Sequence, residues 1–150
     1  MAKKYAGQAP KPTTYRQAHC KSKLEAQWAC FLDHHKSVEA WQYEPFTFVY
    51  EPMNWEYTPD FAAVILGKRY MLEIKPAPVS AEYKSVQLRM AQVIQDKQLA
   101  ELLVIVGSFW GDGFIWYKAA QPSKTYPLRD LFVSPTRCID IATHYRFDLA

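Results

Sequence analysis

Asp60, Glu73 and Lys75 combine carboxylate and ammonium chemistry within a short span of the chain. Asp60 lies between Pro59 and Phe61 and leads into the apolar run Ala62-Ala63-Val64-Ile65. An aspartate in such a run is costly to bury unless something pairs with it. Glu73 and Lys75 belong to Tyr70-Met71-Leu72-Glu73-Ile74-Lys75, which Pro76 stops. Side chains alternate faces along a strand. Tyr70, Leu72 and Ile74 therefore share the expected core face, and Met71, Glu73 and Lys75 share the other. The Ile74 carbonyl between the acid and the amine is a further oxygen for a hard cation. A turn at Gly67-Lys68 would fold the two segments into a hairpin and bring Asp60 near Glu73. Two carboxylates that close repel one another and favour a divalent metal between them. A surface salt bridge is the competing reading of the same residues.

Glu25 is a third acid, at the edge of the apolar stripe of a helix expected from about Lys23 to His35. Leu24, Trp28, Phe31 and Leu32 recur there at helical spacing. Ser22 with Glu25 also reads as a capping box, so the carboxylate has a structural use as well. His19, Cys20, Cys30 and His34 do not make a zinc motif, because structural zinc sites begin with a tighter cysteine pair. Trp41, Trp55, Trp110 and Trp116 are candidates for base stacking, although aromatic residues are mostly core. The chain has no P-loop, no dinucleotide glycine fingerprint and no Ser-His-Asp order. That excludes the nucleotide-hydrolysis, hydride-transfer and triad readings.

The elements that must position these residues alternate. Residues 1–14 read as a flexible basic arm, and residues 15–150 as one domain with a C-terminal extension from about 109. After the first helix, Phe46–Tyr50, Tyr57–Leu66 and Tyr70–Lys75 read as strands. Ala81 to about Gln98 reads as a second helix, with Tyr83, Val86, Met90, Val93 and Ile94 as its stripe. Leu102–Ser108 is a buried strand, Gly111-Asp112-Gly113 a turn, and Phe114–Lys118 a further strand. The tail from Pro122 carries mixed signals. The expected order is α-β-β-β-α-β around a mixed central sheet, an α/β fold.

Composition fits one domain: 150 residues, 49% hydrophobic and 22% charged. No apolar stretch approaches the ~20 residues of a membrane helix, and no apolar run follows the first lysines, so neither a membrane nor a secretory signal is expected. Three widely spaced cysteines suit a reducing, cytoplasmic compartment rather than a disulfide framework. Residues 1–23 hold six basic side chains and no acidic one, whereas the rest carries 12 basic against 15 acidic. A basic arm on a mildly acidic body suits a polyanion such as DNA.

Tyr57-Thr58-Pro59-Asp60-Phe61 followed by Leu72-Glu73-Ile74-Lys75-Pro76 resembles the PD-(D/E)xK nuclease superfamily. Ser22-Lys23-Leu24-Glu25 matches the first-helix glutamate of its resolvase-like branches. Within it, residues 14–108 are most similar to the junction-resolving endonuclease I of short-tailed phages and to the catalytic domain of TnsA-type transposon endonucleases. Trp41-Gln42-Tyr43-Glu44-Pro45 fits a tyrosine–glutamate element of both. The resemblance implies a restriction-endonuclease-like core and a metal-dependent endodeoxyribonuclease, in the host-cell cytoplasm if phage-encoded. Asp60, Glu73 and the Ile74 carbonyl would ligate Mg2+, with Mn2+ as a substitute. Glu25 would hold a second metal or orient its water, and Lys75 would place the attacking water and stabilise the transition state. Glu44 would support these ligands or fix the loop before Pro45. Arg16, Lys21, Lys23, Lys84 and Gln87 would touch DNA, the last two competing with an ordinary solvated face. The expected substrate is branched or junction DNA and the expected assembly a homodimer, with a second nuclease or transposase subunit in the TnsA-like alternative. A non-cleaving DNA-binding module is the reading from another class.

Overall fold

The computed structural model describes residues 10–97, 99–111 and 113–149. The N-terminal part comprises β1 (Thr13–Tyr15), β2 (Ala18–Cys20), α1 (Lys23–His34), β3 (Val38–Tyr43), β4 (Phe48–Tyr50), β5 (Trp55–Tyr57), β6 (Phe61–Ile65) and β7 (Lys68–Lys75). It continues with α2 (Ala81–Asp96), β8 (Glu101–Ser108), β9 (Gly113–Lys118), β10 (Gln121–Pro127), α3 (Thr136–His144) and β11 (Asp148–Leu149). The fold is mixed α/β. Its central sheet has six strands in the order β10-β9-β8-β7-β6-β3, and β11-β1-β2 and β4-β5 form two smaller sheets. β7 and β8 run parallel through the α2 crossover, and the other neighbours in the central sheet are antiparallel. Among the described residues, no helix is long and apolar enough to cross a membrane.

Both faces of the central sheet are covered around the second half of β7, where Met71–Ile74 are all buried. Leu72 and Ile74 join Phe61, Leu103 and Ile105 in a core under α1 and α3, where Trp28, Phe31 and Phe132 interlock. On the other face Met71, Leu102 and Val104 pack with Phe48, Ala91 and Ile94 from β4 and α2. The Met71, Glu73, Lys75 face, opposite the expected core face, is therefore a second core with the two charges at its end.

The sequence reading is corrected at several elements. Phe46–Tyr50 is expected beside the other core strands, yet among the described residues β4 pairs only with β5, away from the central sheet. Its place is taken by β3, which pairs antiparallel with β6. β3 is an edge strand with exposed Glu39, Ala40 and Gln42, which blurs its pattern. Tyr57–Leu66 is not one strand. It divides at Pro59, which lacks the N–H a ladder needs, into β5 and β6. The β6–β7 turn is Leu66-Gly67 rather than Gly67-Lys68. Both residues have positive φ, 49° and 80°, as a two-residue hairpin turn requires. Thr13 and Thr14, expected in the flexible arm, begin β1, where Thr13 is buried. The tail from residue 109 continues the same sheet and supplies α3 against α1. Residues 1–9 of the expected arm, Gln98 at the expected end of the second helix and Asp112 of the expected turn lie outside the described residues.

Candidate active site

The β6–β7 ladder runs from Ile65↔Lys68 to Phe61↔Leu72. One step further in that register Asp60 lies opposite Glu73. Asp60 Oδ2 accepts a hydrogen bond from the Ile74 N–H at 2.7 Å. The N–H and C=O of an extended residue point to the same side of its strand. The Ile74 carbonyl therefore faces the same side as Asp60, past the end of the β6 ladder. Lys75 Nζ lies 2.9 Å from Glu73 Oε2, and the Tyr57 phenol donates to Glu73 Oε1 at 2.5 Å. Glu73 is 6% exposed, so this is a buried ion pair rather than a surface salt bridge.

α1 brings the third acid. Ser22 Oγ accepts from the Glu25 N–H at 3.1 Å, the expected cap. The reciprocal contact is displaced by one residue, because Glu25 Oε1 accepts from the Lys21 N–H at 3.3 Å. The same oxygen accepts from the Tyr43 phenol at 2.6 Å, tying the helix to β3. Glu25 thus serves the helix start and reaches toward the strand acids. Glu44, at φ 44°, donates its N–H to the Asp60 carbonyl at 2.8 Å and pairs its carboxylate with Lys21 Nζ at 2.8 Å. It fixes the loop before Pro45 and holds the backbone at Asp60.

The electrostatics record how tightly these acids gather. Burial, then the charges of Glu73 and Glu25, push the Asp60 carboxyl up to about 8, against the Ile74 N–H and Lys75. Burial opposes the charged form of Lys75, but the Glu73 carboxylate outweighs it and holds the ammonium above its ordinary range. Buried Cys20 is pushed up to about 12, first by burial and then by Glu25, Glu44 and Asp60, so its thiol stays protonated.

This donor set suits a hard divalent cation in kind: the buried Glu73 carboxylate, the half-buried carboxyls of Asp60 and Glu25, and a main-chain carbonyl. Among the described residues no hydrogen bond reaches Asp60 Oδ1 or Glu25 Oε2. No three His, Cys, Asp or Glu side chains there converge closely enough to hold a metal by themselves. A cation at this place would complete its shell with the Ile74 carbonyl and water.

The remaining expected residues divide. Gln87 is not on a solvated face, being 1% exposed, whereas Lys84 is half-buried with its Nζ 5.5 Å from the centre of the Tyr117 ring. Gln87 Oε1 accepts from the Tyr117 phenol at 2.6 Å, and its buried Nε2 has no partner among the described residues. α2 thus turns this polar residue inward, against the Tyr117 phenol. Arg16 heads the β1–β2 turn at φ 52° and pairs with Asp33 at 3.3 Å. Lys23 is exposed. Arg16, His19, Trp41 and Tyr43 line a groove of about 640 Å³ between β2 and β3. Of the tryptophans, Trp116 is core, stacked on Tyr126, whereas Trp110 is 68% exposed. Cys30 Sγ lies 3.7 Å from His34 Nδ1, and Cys20 and Cys30 are buried free thiols.

Three tyrosines around the acids were missed as site residues. Tyr43 and Tyr57 stood within the quoted motifs without a role. Tyr83, expected in the apolar stripe of α2, faces Lys75, whose Nζ lies 3.4 Å from its hydroxyl and 4.8 Å from its ring centre. A scan against protein-family models finds no match to this chain, and a search of curated proteins finds none either. The functional reading therefore rests on the residues themselves.

Proposed function

We propose that the protein is a Mg2+-dependent endodeoxyribonuclease of the PD-(D/E)xK kind, acting on branched or junction DNA. The observation that carries this reading is the β6–β7 register, which sets Asp60 opposite Glu73 with Lys75 next on the same face. The chain order α1, β3, β6, β7, α2, β8 supports it, being the expected α-β-β-β-α-β succession with a different first strand.

Asp60 and Glu73, with the Ile74 carbonyl, would hold the cation, and Glu25 would extend the acidic surface toward a second one. When bound, such a cation neutralises the phosphodiester, acidifies water and aligns attacking and leaving oxygens. Lys75 presents a fixed positive charge where negative charge grows on the phosphate. Its ammonium keeps its proton because of Glu73, so it orients and stabilises rather than acting as a base. Glu44 and Tyr43 keep the strand and helix acids on one side of the sheet end. One such site nicks one strand, so cutting both strands of a junction calls for a homodimer or a second nuclease subunit.

The test is cleavage of supercoiled plasmid, and of linear, nicked, flapped and four-way DNA, with Mg2+ and with EDTA. Asp60→Asn is expected to reduce cutting by at least ~100-fold while sparing DNA binding. Metal-independent cutting, or an Asp60→Asn variant that cuts normally, overturns the assignment. DNA binding without any cutting would instead support the non-cleaving module.

A further inference from the structure

We propose that Tyr57 is a positioning residue for the cation site, fixing the carboxylate plane of Glu73; this inference rests on the nuclease reading above. Tyr57 ends β5, so it comes from the small hairpin outside the central sheet. Its ring lies with Phe48, Tyr50, Trp55, Met90 and Val93 between that hairpin and α2. The hydroxyl leaves this apolar setting to reach Glu73 Oε1 at 2.5 Å, while Lys75 holds Oε2 at 2.9 Å.

A glutamate terminal torsion is broad and roughly two-fold, so a single contact does not fix it. Lys75 is a flexible stem ending in a rotatable ammonium, and that ammonium can follow Glu73 wherever it turns. The Tyr57 phenol cannot follow. It has few torsions, and its ring is held by packing. With one donor on each oxygen, Glu73 is fixed in plane and keeps a lone pair on each oxygen for a cation. The carboxylate thus loses its rotational freedom on folding rather than on binding metal. A phenol suits this task because it is a donor that adds no competing positive charge. The same device recurs at Glu25, where the Tyr43 phenol pins Oε1 and leaves Oε2 free among the described residues.

The test uses the full chain without DNA and Mn2+ as the probe, titrated by calorimetry, with thermal unfolding in parallel. Tyr57→Phe keeps the ring and removes the donor. It is expected to bind Mn2+ on the order of tenfold more weakly. In nicking assays it should need correspondingly more Mg2+ for half-maximal rate, and recover to within about threefold of wild type at saturation. Tyr50→Phe, on the same hairpin but away from the acids, should leave Mn2+ affinity unchanged. A folded Tyr57→Phe with wild-type Mn2+ affinity, whatever its melting temperature, overturns the positioning role and leaves the nuclease reading standing. Wild-type protein that neither binds Mn2+ nor nicks DNA overturns the nuclease reading itself.

Discussion

Asp60 is the residue on which folding and chemistry pull in opposite directions. In an unfolded chain its carboxyl loses its proton near 3.9. In the folded protein without metal it keeps the proton up to about 8. Between those values the unfolded state binds fewer protons, so stability falls as pH rises through the window. Asparagine cannot ionise. Asp60→Asn is therefore expected to melt several degrees above wild type at pH 8.5 in EDTA, with the gap closing toward pH 4, each kcal/mol being worth about 2–4 °C. A gap independent of pH would show that Asp60 carries no such burden. The same proton must leave before a cation binds, so metal affinity should fall as pH drops below the carboxyl's raised value. That Asp60 comes near Glu73 was legible in the sequence from alternation and a turn signal, but the exact register was not, because the turn lies one residue earlier, at Leu66-Gly67. The tyrosines were not legible, since a half-buried phenol and a purely packed one look alike along a chain. The burial of Gln87 was not legible for a related reason, because α2 has cover on a face that its periodicity leaves polar.

At the scale of elements, local grammar worked where one interaction decides the outcome. Ser22 and Glu25 announced the start of α1, and the continuous apolar run announced β8, buried on both sides. It failed where a strand's neighbour decides. β3 is half exposed along the sheet edge, and β4 carries the stronger aromatic pattern although it belongs to a separate hairpin. The β8–β9 hairpin offers a sharp test of local geometry. Gly107 has φ +144°, and a Cβ built there would lie 2.1 Å from the Gly113 carbonyl oxygen. Gly107→Ala is expected to cost at least ~2 kcal/mol in urea unfolding, from the combined backbone strain and clash. An alanine variant with an unchanged urea midpoint would show that β8 and β9 separate at no cost.

For the molecule as a whole, the surprise is how much depends on residues 109–150, which carry no motif. Phe114 lies 5.0 Å and Phe132 5.9 Å from Trp28, ring centre to ring centre, so α1 is seated partly on the tail. Leu128, Leu131, Cys138 and Ala142 close the same core. A chain ending at Ser108 is expected to lose its cooperative unfolding transition by calorimetry and circular dichroism, although it keeps all four proposed catalytic residues. A truncated chain that melts cooperatively would make the tail an accessory. The two-residue turn at Leu66-Gly67 has a different reach. Five rungs separate it from the acids, at about 3.4 Å each. It works as a ruler whose zero mark is far from what it measures. One residue added at that exposed tip would disturb little around it. Yet every side chain beyond would trade faces, and the strand that now offers an aspartate would offer a proline or a phenylalanine in its place.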